Sequence, residues 1–491
     1  MREQFEYIKQ NQELRQNLIA MKAELRDSRG QEELKGLFEK EPEILLGLLN
    51  DTDAKVRKNA AFLLGSLGTE SCRESLWKAY QKETQRFVRS AYLEALKGCD
   101  CSEYLNRLKL RKEELLRVEQ TEENRKHQME ELGALNALIY EYEKPGKHEF
   151  TGLSRPSDVV LITHRDYREV TARQIAKGRK VLLRAGVKVL GADLEELSSI
   201  RTIQEYLFCL NTEEIKREAA AQQLAGSNLM SLLRELHQGD GPFFFRIECK
   251  SRMDSGQRIT FTKKLAADLE YQTGGSLVNS TTDYELELRL VETKAGGFYP
   301  LLKLYTLPDH RFRYRKNSVA ASIRPVQAAL FMELSRPWLK EGARVLDPFC
   351  GVGTMLLERN YLAHGDTLYG VDQYGPAIAG ARENAEIAGV PAHFVNRDFL
   401  DFTHEYPFDE IVTNFPVKGG NLTGHQLEFL YGKFFEKAED LLKPEGFILL
   451  YSHDRAFVKR QLREHRAMKL LKEWPMGGRE ESWLYAICYE P

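Results

Sequence analysis

Hydrophobic and polar positions change period several times along the chain. From residue 1 to about 150 the period is helical. Leu45, Leu48 and Leu49 recur at three- and four-residue spacing before an "NDTD" turn. Val56, Ala60, Leu63, Leu64 and Leu67 do the same after it, which is the pattern of helices with one buried stripe. A weaker echo returns 32 residues on, where Val56-Arg57 is matched by Val88-Arg89 and Leu64 by Leu96. Two helices per unit at this period predict a short α-solenoid, with a plain helical bundle as the competing reading. Residues 103–142 follow, with "RKEELLRVEQTEENRKHQMEEL" predicting a solvated helix or linker rather than a binding surface.

After the Pro- and Gly-containing linker "EKPGKHEFTGLSRPSD", Glu143 to Asp158, the pattern shortens. "DVVLITH" predicts a strand, "REVTARQIAKGRKVLLRAG" one amphipathic helix ending at Gly186, and "VKVLGADLEELSSIRTIQEYLFCL" strand, turn, helix and strand. A helical stretch then leads to "PFFFRIECKSR" and "YELELRLVET", two strands around the helix "ITFTKKLAADLEYQTG", and to a third strand in "GFYPLLKLYTL". From about Ala321, "ARVLD", "TLYGVD", "AHFVN", "DEIVTN", "GFILLYS", "MKLLKEW" and "SWLYAICY" are strands separated mostly by helices. That alternation predicts a doubly wound α/β sheet of seven strands, its last two joined as an antiparallel hairpin through "PMGGREE". The chain is therefore multidomain: a helical region at 1–150, an α+β unit at 155–215, a second α+β domain at 216–320 and an α/β domain at 321–491.

Composition narrows this picture in three ways. Hydrophobic residues make up 42% and charged residues 29%, an ordinary globular balance, and no apolar run reaches the roughly 18 residues that would cross a bilayer. The charged N-terminus has no apolar signal core, and the seven cysteines form no CxxC pairs. A reducing cytoplasm is the expected setting, with no disulfide scaffold, no metal and no membrane partner. The net charge is −2, so any nucleic-acid surface must be local. The segment "PDHRFRYRKN" offers one. Arg311, Arg313, Arg315 and Lys316 alternate with Phe312 and Tyr314, a pattern suited to phosphate contact and base stacking or, equally, to a cationic edge strand.

The chemistry lies at the ends of the α/β strands, where such sheets bind ligands. The first strand runs into "LDPFCGVGTMLLE". Asp347 closes it, Gly351 and Gly353 allow backbone to approach a ligand, and Thr354 is placed to help cap the next helix; Phe349 and Cys350 complete the loop. The second strand ends in Asp372 and Gln373, with Asp372 lying 19 residues beyond Gly353, where a carboxylate meets ribose hydroxyls. The loop lacks the third glycine of a dinucleotide site and has no basic phosphate partner. Its acidic start suits a cationic methionine moiety, so the domain resembles a class I S-adenosylmethionine methyltransferase. By that resemblance Asp398 meets the adenine amino group and Phe399 flanks the ring.

The resemblance extends further. "DPFCGVGTMLLE", and "SIRPVQAALFMEL" with its Arg324, are similar to segments of RNA methyltransferases that carry THUMP domains. Ser157 to Asn211 resembles their ferredoxin-like half and Pro242 to Asn317, more weakly, their THUMP half; "ILLGLLNDTDAKVRKNAAFLLGSLG", with Asp53, Val56 and Arg57, resembles HEAT repeats. The family's target is the exocyclic amine of a guanine in transfer or ribosomal RNA. Its catalytic loop corresponds to Asn414, Phe415 and Pro416, with Asn414 also bordering the cofactor. An Asn side-chain oxygen and the next carbonyl accept the amine's two hydrogens and aim its lone pair at the methyl group. Where the family has a base-stacking aromatic this chain has Val417, and where it has glycine, Lys418. The resemblance implies RNA, most readily transfer RNA, as substrate, with Arg311, Arg313, Arg315, Lys316 and Arg324 as its contacts. A protein partner is the expected role of the helical N-terminus. A catalytically impaired scaffold that binds the cofactor and a protein partner, and a methyltransferase for DNA adenine or a protein side chain, are the alternatives.

Overall fold

In a computed structural model, residues 1–118, 122–143, 146–212, 214–320, 322–418, 423–478 and 481–491 are described, with side chains from 126 on in the helix Glu122–Tyr142. The chain forms two compact units, 1–149 with 212–300, and 150–211 with 301–491.

The first unit begins as a run of helices. Asp53 caps Ala54–Leu67 through a bond from the Lys55 amide, and Val56, Ala60, Leu63 and Leu64 are buried along one stripe. The echo at Arg86–Leu96 buries Val88, Tyr92, Leu93 and Leu96. These two helices approach closely at Gly65, where an added Cβ would lie 2.6 Å from the Ala95 Cα. Arg57 and Arg89 converge on Glu83, the first through a bidentate ion pair and the second through the backbone carbonyl. Of the solvated helix or linker expected at 103–142, the helices are present but their solvation is corrected. Helices Leu105–Arg117 and Glu122–Tyr142 carry Leu108, Leu115, Leu132, Leu135, Leu138 and Ile139 into the same core, and buried Glu131 joins Arg111 to Tyr80. The charge density had masked a stripe that repeats at three and four residues. In the same unit Phe243–Lys250 pairs in parallel with Leu277–Asn279 and Leu286–Glu292, and the helix Ser255–Gln272 forms the crossover.

The second unit opens with antiparallel strands. Ser157–Ile162 lies between Gly186–Ala192 and Glu205–Cys209, and Leu301 and Leu302 pair with Cys209 and Phe208. The single helix expected up to Gly186 is two elements. Helix Arg168–Gln174 stops at Ile175, and Arg179–Leu183 is a strand paired with Gly186–Ala192. Val181 and Leu182 remain 40% and 47% exposed on this edge strand. The apolar pair that suggested a helical stripe is thus a β-branched residue and a leucine of an exposed edge strand.

The α/β part has the seven strands that the alternation predicts. In chain order they are β1 (Ala343–Asp347), β2 (Gly365–Asp372), β3 (His393–Asn396), β4 (Phe408–Asn414), β5 (Leu442–Ser452), β6 (Met468–Pro475) and β7 (Trp483–Tyr489). Their order across the sheet is β3-β2-β1-β4-β5-β7-β6, parallel except for β7, which runs antiparallel to both neighbours. The chain reverses direction across the sheet between β1 and β4, the place where such sheets open a ligand crevice. Neighbouring residues feed opposite cores: Val345, Val412 and Leu449 one side, Leu346, Ile411 and Ile448 the other. Helices α1 (Pro325–Ser335), α2 (Thr354–Leu362) and α3 (Gly375–Ala388) cover the first face, and α4 (Gly424–Leu441) and α5 (Arg455–Glu464) the second.

A fully buried ion pair ties these layers together. Arg359 of α2 meets both Glu410 oxygens, at 2.8 and 2.7 Å, and donates to the Lys340 carbonyl, while Glu410 accepts the Lys340 amide. The small antiparallel part is joined to the α/β part by a second cluster. Arg201 pairs with buried Glu358 at 2.7 and 2.8 Å and lies over the rings of Phe312 and Tyr361, and the Tyr314 hydroxyl donates to Glu358 at 2.6 Å. Nearby, Tyr167 donates to the Pro475 carbonyl and His164 to that of Met476. Removing one partner from a buried pair leaves an uncompensated charge. Arg359→Met is expected to destabilise the second unit by about 3–5 kcal/mol, read as a lower urea midpoint.

Candidate active site

The C-terminal ends of β1, β2 and β4 open onto one cavity of about 820 Å³. Asp347, Phe349, Cys350, Gly351, Thr354, Asp372, Gln373, Asp398, Phe399 and Asn414 all line it, together with Pro416 and Val417.

Asp347 ends β1 almost fully buried. Its Oδ1 accepts from the Thr413 hydroxyl at 2.8 Å and from the Phe349 amide at 3.2 Å. Burial pushes this carboxyl up to about 7; the two hydrogen bonds oppose the rise and Asp372 adds to it. Asp372 accepts the Gly351 amide at 2.9 Å through one oxygen and the Tyr374 amide at 2.8 Å through the other. It thus stitches the glycine loop to the end of β2. A carboxylate has about four acceptor positions, so these bonds leave capacity for a ligand hydroxyl. Asp398 similarly accepts the Leu400 amide at 2.8 Å. Thr354 departs from its expected capping role. Gly353, at φ +83°, is the N-cap of α2, no side chain caps it, and the buried Thr354 hydroxyl has no hydrogen-bond partner beside the cavity.

Gly353 is not among the lining residues. Its demand is conformational and steric: a left-handed backbone, and a Cβ that would lie 3.2 Å from the Phe394 ring. Gly351 is also left-handed, at φ +51°, but nothing lies within 4 Å of its Cβ position. The loop is therefore open where a ligand would approach. An 820 Å³ space with buried acid at one end, an unpartnered hydroxyl and an open glycine turn fits an adenosine-bearing cation.

The loop after β4 contributes in two directions. Asn414 is half-buried at the strand end, opposite Tyr451 of β5, and the Phe415 amide donates to the Tyr451 carbonyl at 2.9 Å. Phe415 itself points into the core. Its ring stacks on Tyr431 with centroids 4.0 Å apart and meets Phe349 and Phe434 edge-on at 5.0 and 5.3 Å. The Phe415 ring is thus not available to a substrate base, and only its backbone can serve the cavity. Val417 and Lys418 are exposed; Gly419 and Gly420 lie outside the described residues.

The basic run is a turn rather than a strand, and its members part company. Arg311 is corrected as an RNA contact. It is buried, held by Asp309 through two bonds and by the Ile200 and Ile203 carbonyls at 2.8 and 2.7 Å, so its donors are spent inside the protein. Tyr314 is likewise buried on Glu358. Arg313 and Lys316 are exposed and Arg315 half-buried. Arg324, exposed at the N-cap of α1, lines a different cavity of about 700 Å³ with Thr163, His164, Arg165 and Tyr451. Sequence reasoning missed the segment Val319, Ser322 and Ile323, and Gln426, Phe429 and Leu430 on α4, all of which line the first cavity. For α4 the signal was present: Phe429 is an aromatic off the buried stripe of Leu427, Tyr431 and Phe434.

Among the described residues no cluster of His, Cys, Asp or Glu could hold a metal, and no helix is long and apolar enough to cross a membrane. Residues 313–480 match the family model "RMKL-like, methyltransferase domain". A tRNA (guanine(10)-N2)-dimethyltransferase of Methanothermobacter thermautotrophicus is 33% identical over 26% of this chain and 38% of its own length. A tRNA (guanine(6)-N2)-methyltransferase of Thermus thermophilus is 31% identical over 34% of this chain and 50% of its own. The chain thus spans half or less of these relatives' lengths. The fold is that of TrmN from Thermus thermophilus (TM-score 0.52, 21% identity, 68% of this chain and 99% of the other) and of SMU.472 complexed with SAH (TM-score 0.51, 16% identity, 69% and 99%). A Rossmann-like methyltransferase fold for the C-terminal part follows.

The raised carboxyl has a measurable consequence. A group whose folded pKa lies above its ordinary 3.8 favours folding when protonated, so that contribution is full below about pH 4 and is lost as pH rises through about 7. Asp347→Asn keeps an oxygen for Thr413 and Phe349 without the charge. It is expected to remove this component and to raise the thermal midpoint of the ligand-free protein at pH 8 relative to wild type.

Proposed function

We propose that the cavity is the active site of an S-adenosylmethionine-dependent RNA methyltransferase, and that its target is the exocyclic amine of a guanine in transfer RNA. One observation carries this reading. A single cavity joins the acids at the ends of β1 and β2, and Asp398 beyond β3, to the Asn414–Pro416 loop at the end of β4. A cofactor half and an amine-orienting half thus share one space. The two tRNA guanine methyltransferases similar to this chain support the choice of substrate.

The cofactor would supply an electrophilic methyl group on a sulfonium. Asp347 holds its cationic amine, Asp372 with Gln373 its ribose hydroxyls, and Asp398 its adenine amino group; Phe349, Cys350 and Phe399 pack around it, and the Gly351–Thr354 turn gives it room. A nucleobase amine is a poor nucleophile because its lone pair is delocalised into the ring. Asn414 Oδ1 and the Phe415 carbonyl accept its hydrogens and localise that pair. Pro416 restricts the loop, and Phe415, locked against Tyr431, fixes where its carbonyl points.

The wider chain extends the reading. The THUMP-like 216–320 region grips the RNA, and Arg313, Arg315, Lys316 and Arg324 contact its phosphates. The HEAT-like N-terminus takes a protein partner, and the enzyme works in the cytoplasm. The exposed Val417, which brings no ring to the cavity, favours one other reading, a cofactor-binding scaffold without turnover.

Transfer from labelled S-adenosylmethionine to small RNA, followed by nucleoside mass spectrometry, separates them. Wild type is expected to yield a methylated guanine. Asn414→Ala is expected to lower kcat by about 10²-fold with cofactor binding retained. Equal transfer by the variant removes Asn414 from the chemistry, and cofactor binding without any transfer by wild type favours the scaffold.

A further inference from the structure

The cavity contains an exposed ring that the catalytic loop does not supply. Phe429 lies on α4, whose start is fixed by a capping box between Thr423 and Gln426. Its neighbour two residues on, Tyr431, stacks on Phe415 at 4.0 Å and donates or accepts a 2.6 Å hydrogen bond with Ser452. Two residues along a helix turn by about 200°, so Phe429 leaves α4 on the side away from that core contact. It is 58% exposed, among the most exposed large apolar side chains in the described structure, and it lines the same cavity as Asn414, Pro416 and Val417. Gln426 and Leu430, one turn back and one residue on, line it too.

Phe429 leaves an apolar ring in water on the lining of a cavity whose surface is itself largely apolar, so a flat apolar group that covered the ring would remove that area from water. A base drawn out of its stack needs a π-face or an apolar wall on which to lie while its amine is presented. Val417, in the loop, is too small to give that face, and the Phe415 ring is committed to the core. From this juxtaposition we infer that Phe429 is the residue on which the target base stacks, so that base recognition has passed from the loop after β4 to the first turns of α4. The inference rests on the RNA methyltransferase reading and names the substrate-holding element of the same site. Val417 and Leu430 form the apolar wall beside the ring. The amine-orienting atoms stay on the loop, and α4 carries them both through the Phe415–Tyr431 stack.

The test uses full-length protein, bulk transfer RNA and labelled S-adenosylmethionine, with cofactor affinity measured by calorimetry and folding by thermal melting. Phe429→Ala and Phe429→Leu are expected to lower kcat/KM for RNA at least tenfold, mainly through KM, with cofactor affinity unchanged within twofold. Phe429→Tyr is expected to stay within about threefold of wild type. Val417→Phe in the Phe429→Ala background is expected to recover part of the loss, because it returns a ring to the loop. Undiminished transfer by Phe429→Ala overturns the inference while leaving the methyltransferase reading intact, and so does full activity of Phe429→Leu, which keeps apolar volume without a π-face. Absence of transfer by wild type overturns that reading and this inference with it.

Discussion

The hydrogen bond from Thr413 to Asp347 is the constraint on which the site depends. It joins the last residue of β1 to the penultimate residue of β4, two neighbouring parallel strands, at 2.8 Å in a buried setting. Asn414 is the next residue along, so the acid that ends β1 and the amide that ends β4, both lining the cavity, are held through one short bond. The Asp372 bonds to the Gly351 and Tyr374 amides do the same for the glycine loop and β2. These acids therefore shape the site even with nothing bound. Loop capping and ligand binding are not competing roles for Asp372, because a carboxylate can accept two amides and still face a hydroxyl.

The charges buried beneath the site work on the scaffold. Arg359 and Glu410 neutralise each other under β1 and β4, and Lys340 adds both a backbone donor and a backbone acceptor, so neither side chain is left to face apolar surroundings alone. The ends of β1 and β4 are thus anchored at the base by charge and at the top by the Asp347 bond.

The sequence made the α/β strands legible because each is short, apolar and bounded by a turn or helix signal, and the Asp347, Asp372 and Asp398 spacings follow from that register. It was less informative where two patterns share residues. "AKGRKVLL" reads as the end of a helix until pairing with Gly186–Ala192 is available to make it a strand. "HRFRYR" reads as alternating cations and rings on a surface, yet Arg311 and Tyr314 turn inward because Asp309, the Ile200 and Ile203 carbonyls and Glu358 give their polar atoms partners. Asp309 is two residues from Arg311, but Ile200, Ile203 and Glu358 lie far away in the sequence, and no local pattern announces them. The linings from Val319, Ser322 and Ile323 were hidden for the same reason: they come next to the site only after folding, whereas Phe429 stands visibly off the apolar stripe of its helix.

The Arg201–Glu358–Tyr314 cluster has a consequence for any ligand long enough to touch both parts that it joins. It fastens the small antiparallel part to α2, whose N-terminus begins at the glycine turn of the cavity. A buried ion pair and a hydrogen bond to the same carboxylate oppose sliding of one part along the other. A ligand that rested on the first part could bring to the second only groups at a matching distance along its length, so reach would be a criterion of fit beside shape and charge.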